Sequence, residues 1–517
     1  MCLFWLLQPI LQVNFSNLIE IKLLIMIKNV VAFLLFFSSG LFGQVKEGEK
    51  VKGLNVVGVD EKNKILSSIY KNKNLYEQSA LKIWNWAEVG FQEYKSSEEI
   101  QALLRNEGFS LEVGVANMPT AFIGTYTNGD GPVIGVLGEY DALPGLSQTN
   151  DPKKTTRGGV STGHGCGHNL FGVASAAASI AIKKWMENTG VKGTIMFFGT
   201  PAEEGGSGKV YMVREGLFKH VDVVLNWHPS NKNSASAGTS LANKTGKFRF
   251  SGVSAHAAGA PERGRSALDG IEAMNNMLNM MREHVDQETR IHYIITKGGD
   301  APNVVPNFAE GYYYIRHPKP EEVRRLWKRL ELCAKGASLG TETEYTYEVT
   351  GGVYNILPNE VLQKLIHKNL SFVGGVKYNE EEKVYAEKLS LSFGDNKKNL
   401  LLSEKIIPYV FDEKTKGGGS TDVGDVSWAV PTGGFSTATY VPGTPGHSWQ
   451  SASCSGTSIG IKGMLNAAKV IALTAYDLFE NKNLILEVKK EFNKRRGNNF
   501  NYAPLIGDRT PALNYRK

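Results

Sequence analysis

Three short apolar runs, Pro132 to Leu137, Thr194 to Phe198 and Val221 to Leu225, each stop at a bend that carries ionisable side chains. The first leads into Gly138-Glu139-Tyr140-Asp141, the second into Pro201-Ala202-Glu203-Glu204-Gly205-Gly206, and the third into Trp227-His228-Pro229. Continuous apolar runs of this length read as strands buried on both faces, as in parallel sheets covered by helices. Helical patterns accompany them. Lys64 to Trp86 has helical spacing, Ser96-Ser97-Glu98-Glu99 opens a helix through Leu104 with serine as its cap, and Leu170 to Met186 is Ala-rich. The alternation predicts an α/β fold with a mostly parallel sheet. In such sheets ligands bind beyond the carboxyl ends of the strands. Asp141, Glu203, Glu204 and His228 all fall there.

From about Thr245 the texture changes. Lys247 to Ser251, Ile291 to Thr296, Tyr312 to Arg316 and Glu344 to Val349 read as strands. Ser266 to His284 and Pro320 to Ala337 read as helices. The order β-α-β-β-α-β is that of a ferredoxin-like α+β unit. The expected organisation is a catalytic domain in two parts, 64–244 and 353–481, with this unit inserted as 245–352 and a basic tail at 482–517.

The 517 residues are 42% hydrophobic and 21% charged, with a formal net charge of +7, which excludes a disordered or fibrous chain. Part of the positive excess lies in the tail, at Lys489, Lys490, Lys494, Arg495 and Arg496, and reads as a solvated helix face and not a nucleic-acid surface. Four cysteines are too few for a disulfide scaffold, and Cys333 and Cys454 read as buried thiols. Met26 to Gly43 carries one lysine, a short apolar core and then small residues, the pattern of a secretory signal with cleavage near Gln44. The expected location is periplasmic or extracellular, with an uncleaved N-terminal anchor as the alternative.

The bends supply metal-site chemistry. Cys166-Gly167-His168 and His447 add thiol and imidazole to the carboxylates and His228. These side chains bind zinc-like ions, and a carboxylate beside a ligand can take a proton from metal-bound water. Alone, Cys-Gly-His fits a buried structural cysteine beside a helix-capping histidine equally well. His228 and His447 taken singly also read as structural. Paired glutamates are usually solvated, but directly after an apolar strand they point to function. Asp141 and Asp422 are candidates to orient ligating imidazoles, and Asp422 equally fits a helix cap.

Seven motifs carry a resemblance. They are Glu139-Tyr-Asp-Ala-Leu-Pro-Gly145, Gly163-His-Gly-Cys-Gly-His-Asn169, Pro201 to Gly206, Asn226-Trp-His-Pro229, Ser254-Ala-His256-Ala-Ala258, Gly299 to Pro306 and Gly443-Thr-Pro-Gly-His447. Over about Glu88 to Asp477 the chain resembles the amidohydrolase branch of the dinuclear-metal aminoacylase and glutamate-carboxypeptidase superfamily. Gly419 to Trp428, and Asn169 in place of the commoner Asp, are similar to the aminobenzoyl-glutamate hydrolase subgroup.

The resemblance implies that Cys166, His168, Glu204, His228 and His447 bind one or two divalent ions. Zinc is favoured over manganese by the thiolate, and the other ligands suit either. It implies Glu203 as general base and acid, supported by Asp141. It places His256 in a dimer partner's site to polarise the scissile carbonyl, and gives Asn303 the substrate's polar end. From the residues alone, His256 reads as a packed surface histidine. The implied activity is hydrolysis of an amide between an acyl or aroyl group, such as aminobenzoyl, and an amino acid. The implied assembly is a homodimer or a pair with a homologous subunit. A dipeptidase or N-acyl-amino-acid hydrolase would use the same site. A non-catalytic binding protein that serves a paired hydrolase is a further alternative, against which the complete ligand set and Glu203 argue.

Overall fold

The computed structural model describes residues 56–393, 400–412 and 419–516. The expected export signal lies outside them. From Asp60 onward the chain forms one body with two main sheets. Five strands come first: β1 (Ser110–Val113), β2 (Phe122–Thr127), β3 (Val133–Gly138), β4 (Thr194–Gly199) and β5 (Val223–Ser230). Then come β6 (Ala242–Ser251), β7 (Arg290–Lys297), β8 (Phe308–His317) and β9 (Glu344–Val353), and finally β10 (Thr432–Ala438).

The first sheet has the order β1-β2-β4-β3-β5-β10. The neighbours from β4 to β10 are parallel, and β1 and β2 add an antiparallel edge. The helices packed on it include α1 (Val56–Lys71), α2 (Lys73–Trp86), α3 (Tyr94–Asn106), α4 (His168–Thr189) and α5 (Gly208–Arg214). Helices cover both faces, as the continuous apolar strands require. On one face α4, rich in alanine, packs its buried Val173, Ala177 and Ile180 into a core with Ile134, Val136 and Leu225. On the other, Val210 and Val213 of α5 join Leu137, Phe198 and Val224.

The second sheet is antiparallel throughout, in the order β7-β8-β6-β9. Helices α6 (Ala267–Met281) and α7 (Pro320–Thr341) supply Ile271, Met274, Leu278, Trp327 and Leu330 to a core with Phe248 and Phe250. This is the expected ferredoxin-like unit.

The structure differs from the sequence reading at several points. The helical stretch before Trp86 is two helices broken at Asn72. Helix α3 begins at Tyr94, before the serines, and neither serine is its cap. The carboxylate of Glu88 performs that role, accepting from the N–H groups of Lys95 and Ser96 at 3.2 and 2.8 Å. His228 lies inside β5 and not beyond it. Strand β10 continues alongside, pairing Ser436 with His228, whereas pairing with β3 stops at Leu225. His228 therefore sits where the strand has outrun its neighbour on one side.

The basic tail is built into the body. Its helix, α8 (Lys482–Arg496), buries Ile485, Val488 and Phe492, and Leu505 and Ile506 are buried beyond it. Cys454 is a buried free thiol, and Cys333 is free but only half-buried. No helix among the described residues is long and apolar enough to cross a membrane.

Candidate active site

The ends of the parallel strands gather the predicted side chains. Asp141 follows β3, Glu203 and Glu204 follow β4, and His228 lies near the end of β5. His168 is the first residue of α4, just after Cys166. Gly167 between them has φ 75°, and a Cβ there would press on the Tyr440 hydroxyl and the Pro229 ring, at 2.6 and 2.8 Å. Glycine at this one position allows the turn. His447 also has a left-handed backbone, with φ 51°.

Three triads of donor atoms form among the described residues, each with all its atoms within 4.8 Å: Cys166, His168 and His228; Cys166, Glu204 and His447; and Glu139, His168 and Glu203. Cys166 belongs to the first two, and His168 to the first and third. The Cys166 sulfur lies 3.3 Å from His228 Nε2, and Glu204 Oε1 lies 3.4 Å from His447 Nε2. His168 Nε2 lies 3.0 Å from Glu139 Oε2, while Glu204 Oε1 is buried without a hydrogen-bond partner, which is costly for a polar atom unless something else satisfies it. Thiol, imidazole and carboxylate donors around such an atom fit two divalent ions sharing one sulfur.

The surroundings fix these groups. Asp141 is buried; its Oδ1 accepts from His168 Nδ1 at 2.9 Å, and its Oδ2 accepts from the Glu204 N–H at 2.9 Å. This leaves His168 Nε2 facing the donors, the arrangement that orients a ligating imidazole. His228 Nδ1 donates to the Pro229 carbonyl at 2.7 Å, so its Nε2 carries the lone pair toward Cys166. The His228 ring opens onto the cleft but lies deep among protein atoms. That desolvation, and then the charge on His168, lower its pKa to about 4, and a neutral ring is the ligand form.

A charge cluster underlies the site, and its lysine has no signal in the sequence. Lys209, on α5, is fully buried, and its Nζ lies 2.7 Å from both Glu139 and Asp422. Burial opposes its charge, but Asp422 and Glu139 outweigh that and keep it a cation. Burial likewise opposes a charge on Glu139, but Lys209 and then His168 hold it well below the usual carboxylate range. Asp422 also accepts from the Lys209 N–H at 2.9 Å, so it orients no imidazole and anchors α5 instead. Nothing local separates a lone lysine after a glycine-rich stretch from a solvated one. Glu139 lies in the first of the seven motifs, but its partner is invisible there. Asn169 has a structural account: its Nδ2 donates to the carbonyls of Ala80 and Ser455, at 3.2 and 3.0 Å, which an aspartate could not do.

His256 and Asn303 lie elsewhere, exposed on the second sheet's loops. They are brought together by the pairing of His256 with Val304 and by the Ala257 N–H donating to the Asn303 carbonyl. His256 Nδ1 accepts from the N–H groups of Ala258 and Gly259, which leaves the proton on Nε2, free to donate. Among the described residues these hydrogen bonds stay within the loops and do not reach the Cys166 cluster.

Burial pushes the Cys166 thiol well above its usual range, so it holds its proton until a metal arrives. Metal loading must expel that proton. Zinc titrations by calorimetry at neutral pH, in buffers of different ionisation enthalpy, should show Cys166→Ala releasing about one proton fewer per chain. Equal release by the two proteins would contradict the assignment.

The peptidase dimerisation domain of the M20 peptidases matches residues 242–341, within the second sheet and its helices. The chain is 38% identical to one of the subunits of p-aminobenzoyl-glutamate hydrolase of Escherichia coli, over 86% of this chain and 97% of that protein. It is 30% identical to the Xaa-Arg dipeptidase of Mus musculus over 79% of this chain and 87% of that protein. A crystal structure of a dinuclear metal binding peptidase of the M20 family from Bacillus subtilis shares the fold, with TM-score 0.53 and 16% identity, covering 80% of this chain and 99% of that one. Donor triads at the ends of a parallel sheet, an added dimerisation unit and similarity over most of the chain lead to one assignment: the chain belongs to the M20 family of metal-dependent hydrolases of amide and peptide bonds, alongside the p-aminobenzoyl-glutamate hydrolases.

Proposed function

We propose that this chain cleaves the amide between an aroyl group and an amino acid, with p-aminobenzoyl-glutamate or a close analogue as substrate. The observation that carries the reading is the pair of donor triads sharing Cys166, with Glu203 in a third triad that shares His168 with the first. The relative named for that substrate over nearly its whole length supports the choice of acyl group. Bound divalent ions would acidify a water and polarise the scissile carbonyl. Zinc fits best, because a thiolate serves both triads.

The chain's own residues do the rest. Burial, and then the charges of Glu139 and Glu204, hold the Glu203 carboxyl well above its usual range. Bound cations beside it would favour its ionised form, which could then take a proton from water and pass it to the leaving amine. Asp141 keeps His168 and Glu204 in place throughout. In a homodimer, His256 of one protomer would donate its Nε2–H to the oxyanion forming in the other, and Asn303 would hold the substrate's polar end. The segment Met26 to Gly43 supports export, and N-terminal sequencing of protein from its native host should begin near Gln44; an intact Met26 terminus in cytoplasmic protein would contradict it.

The purified chain, reconstituted with zinc and given p-aminobenzoyl-glutamate, acyl-amino acids and dipeptides ending in arginine, should hydrolyse the aminobenzoyl compound fastest. Preference for the dipeptides would move it to the Xaa-Arg side of the family. No hydrolysis by folded, metal-loaded protein would favour a non-catalytic binding role. Glu203→Gln should keep its metal and lose at least about a hundredfold in kcat. Mixing Glu203→Gln with His256→Ala chains should restore activity if His256 acts across the dimer. No recovery after demonstrated subunit exchange would place it elsewhere.

A further inference from the structure

We propose that the C-terminal segment from Arg509 to Arg516 is a positioning strap for the Glu203–Glu204 loop, in which Tyr515 and Arg516 fix the main chain of Glu204 and so aim its carboxylate at the metal site. The proposal rests on the reading of Glu204 as a metal ligand. Two side chains converge on one atom: the Glu204 carbonyl accepts from Tyr515 Oη at 3.1 Å and from Arg516 Nη2 at 2.8 Å. On the other side of the same residue, the N–H donates to Asp141 at 2.9 Å. Both polar groups of the Glu204 main chain are thus held from outside the loop.

The loop needs such support. Ala202 and Ser207 have φ of 56° and 59°, left-handed values that strain a residue with a side chain. Conformations of this kind persist only where the surroundings hold them. Glu93 holds one end, accepting from the Ala202 N–H at 2.8 Å. The strap holds the middle and the exit. Arg214 of α5 donates to the Arg509 carbonyl at 2.7 Å, and Tyr211 donates to that of Thr510 at 3.4 Å.

The strap is itself anchored. Gln92 Nε2 donates to the Leu513 carbonyl at 2.7 Å, and the Tyr515 ring meets Phe91 edge-on with centroids 5.7 Å apart. Gly90 lies beneath the Tyr515 hydroxyl, where a Cβ would collide with it. Phe91, Gln92 and Glu93 belong to the segment just before α3, so one short stretch supports both the loop and its strap. Strap residues belong to none of the donor triads, so they are positioning residues and not catalytic ones.

A purely structural role would lower the melting temperature and leave metal affinity in the folded protein unchanged. A positioning role moves the affinity. Zinc dissociation should be measured by competition with a chromophoric chelator, well below the melting temperature, on the full chain. Loss of groups that orient a ligand typically costs about 10- to 100-fold in metal affinity. The double variant Tyr515→Phe/Arg516→Gln should weaken one zinc ion by about that factor, and Arg516→Lys should recover part of the loss. If the double variant does not fold, Tyr515→Phe alone carries the test. It keeps the buried ring, loses one hydrogen bond and should weaken zinc by about fivefold. Wild-type affinity in the folded variant carrying the test overturns the proposal. Glu204→Gln separates the two levels: if it binds both ions as tightly as wild type, the ligand assignment fails. If it loses an ion while the strap variant does not, the strap alone fails.

Discussion

Asp141 uses its two carboxylate oxygens on two different parts of the site, one on the His168 ring and one on the Glu204 N–H. It is buried just past the end of β3, where neither bond competes with water. Through it, a donor from each triad takes its position from one rigid sheet. Loops alone would not hold two triads around a single sulfur to the accuracy that metal geometry demands. The arrangement also concentrates charge. Glu139, Glu203, Glu204 and Asp422 crowd around it, opposed by Lys209 and His168. Buried like charges are tolerated only when paired, and the remaining excess is what a divalent cation would relieve.

Much of this is legible in the sequence because it is local. Each parallel strand shows as an apolar run, and each bend after it carries its own ionisable groups. The β-α-β-β-α-β order is readable because its strands and helices follow one another in the chain. What escapes is set by partners far away. The cap of the helix after Trp86 is Glu88, reaching over its first turn, and not the serines that offer the usual pattern. Lys209 is a buried cation only because Glu139 and Asp422 close on it from distant segments. The tail reads as a solvated basic stretch, yet its last residues reach the Glu204 carbonyl. His228 reads as a bend residue, but β10, some two hundred positions later, extends the strand beside it.

The division of labour between the two sheets bears on specificity. The first sheet carries everything that would hold metal and move a proton. The second carries His256 and Asn303 on exposed loops, with the His256 tautomer set by its own backbone. Among the described residues His256 makes no hydrogen bond to the Cys166 cluster within its own chain. Relatives along most of the chain are named for aminobenzoyl-glutamate in one case and for Xaa-Arg dipeptides in another.

The central claim is that Cys166 is shared between two ions. A crystal structure of the zinc-loaded protein, with anomalous data collected at the zinc edge, tests it directly. Two peaks should flank the Cys166 sulfur, about 3.5–4 Å apart, one beside His168 and His228 and the other beside Glu204 and His447. A single peak, or two peaks that leave Cys166 unbound, would contradict the account.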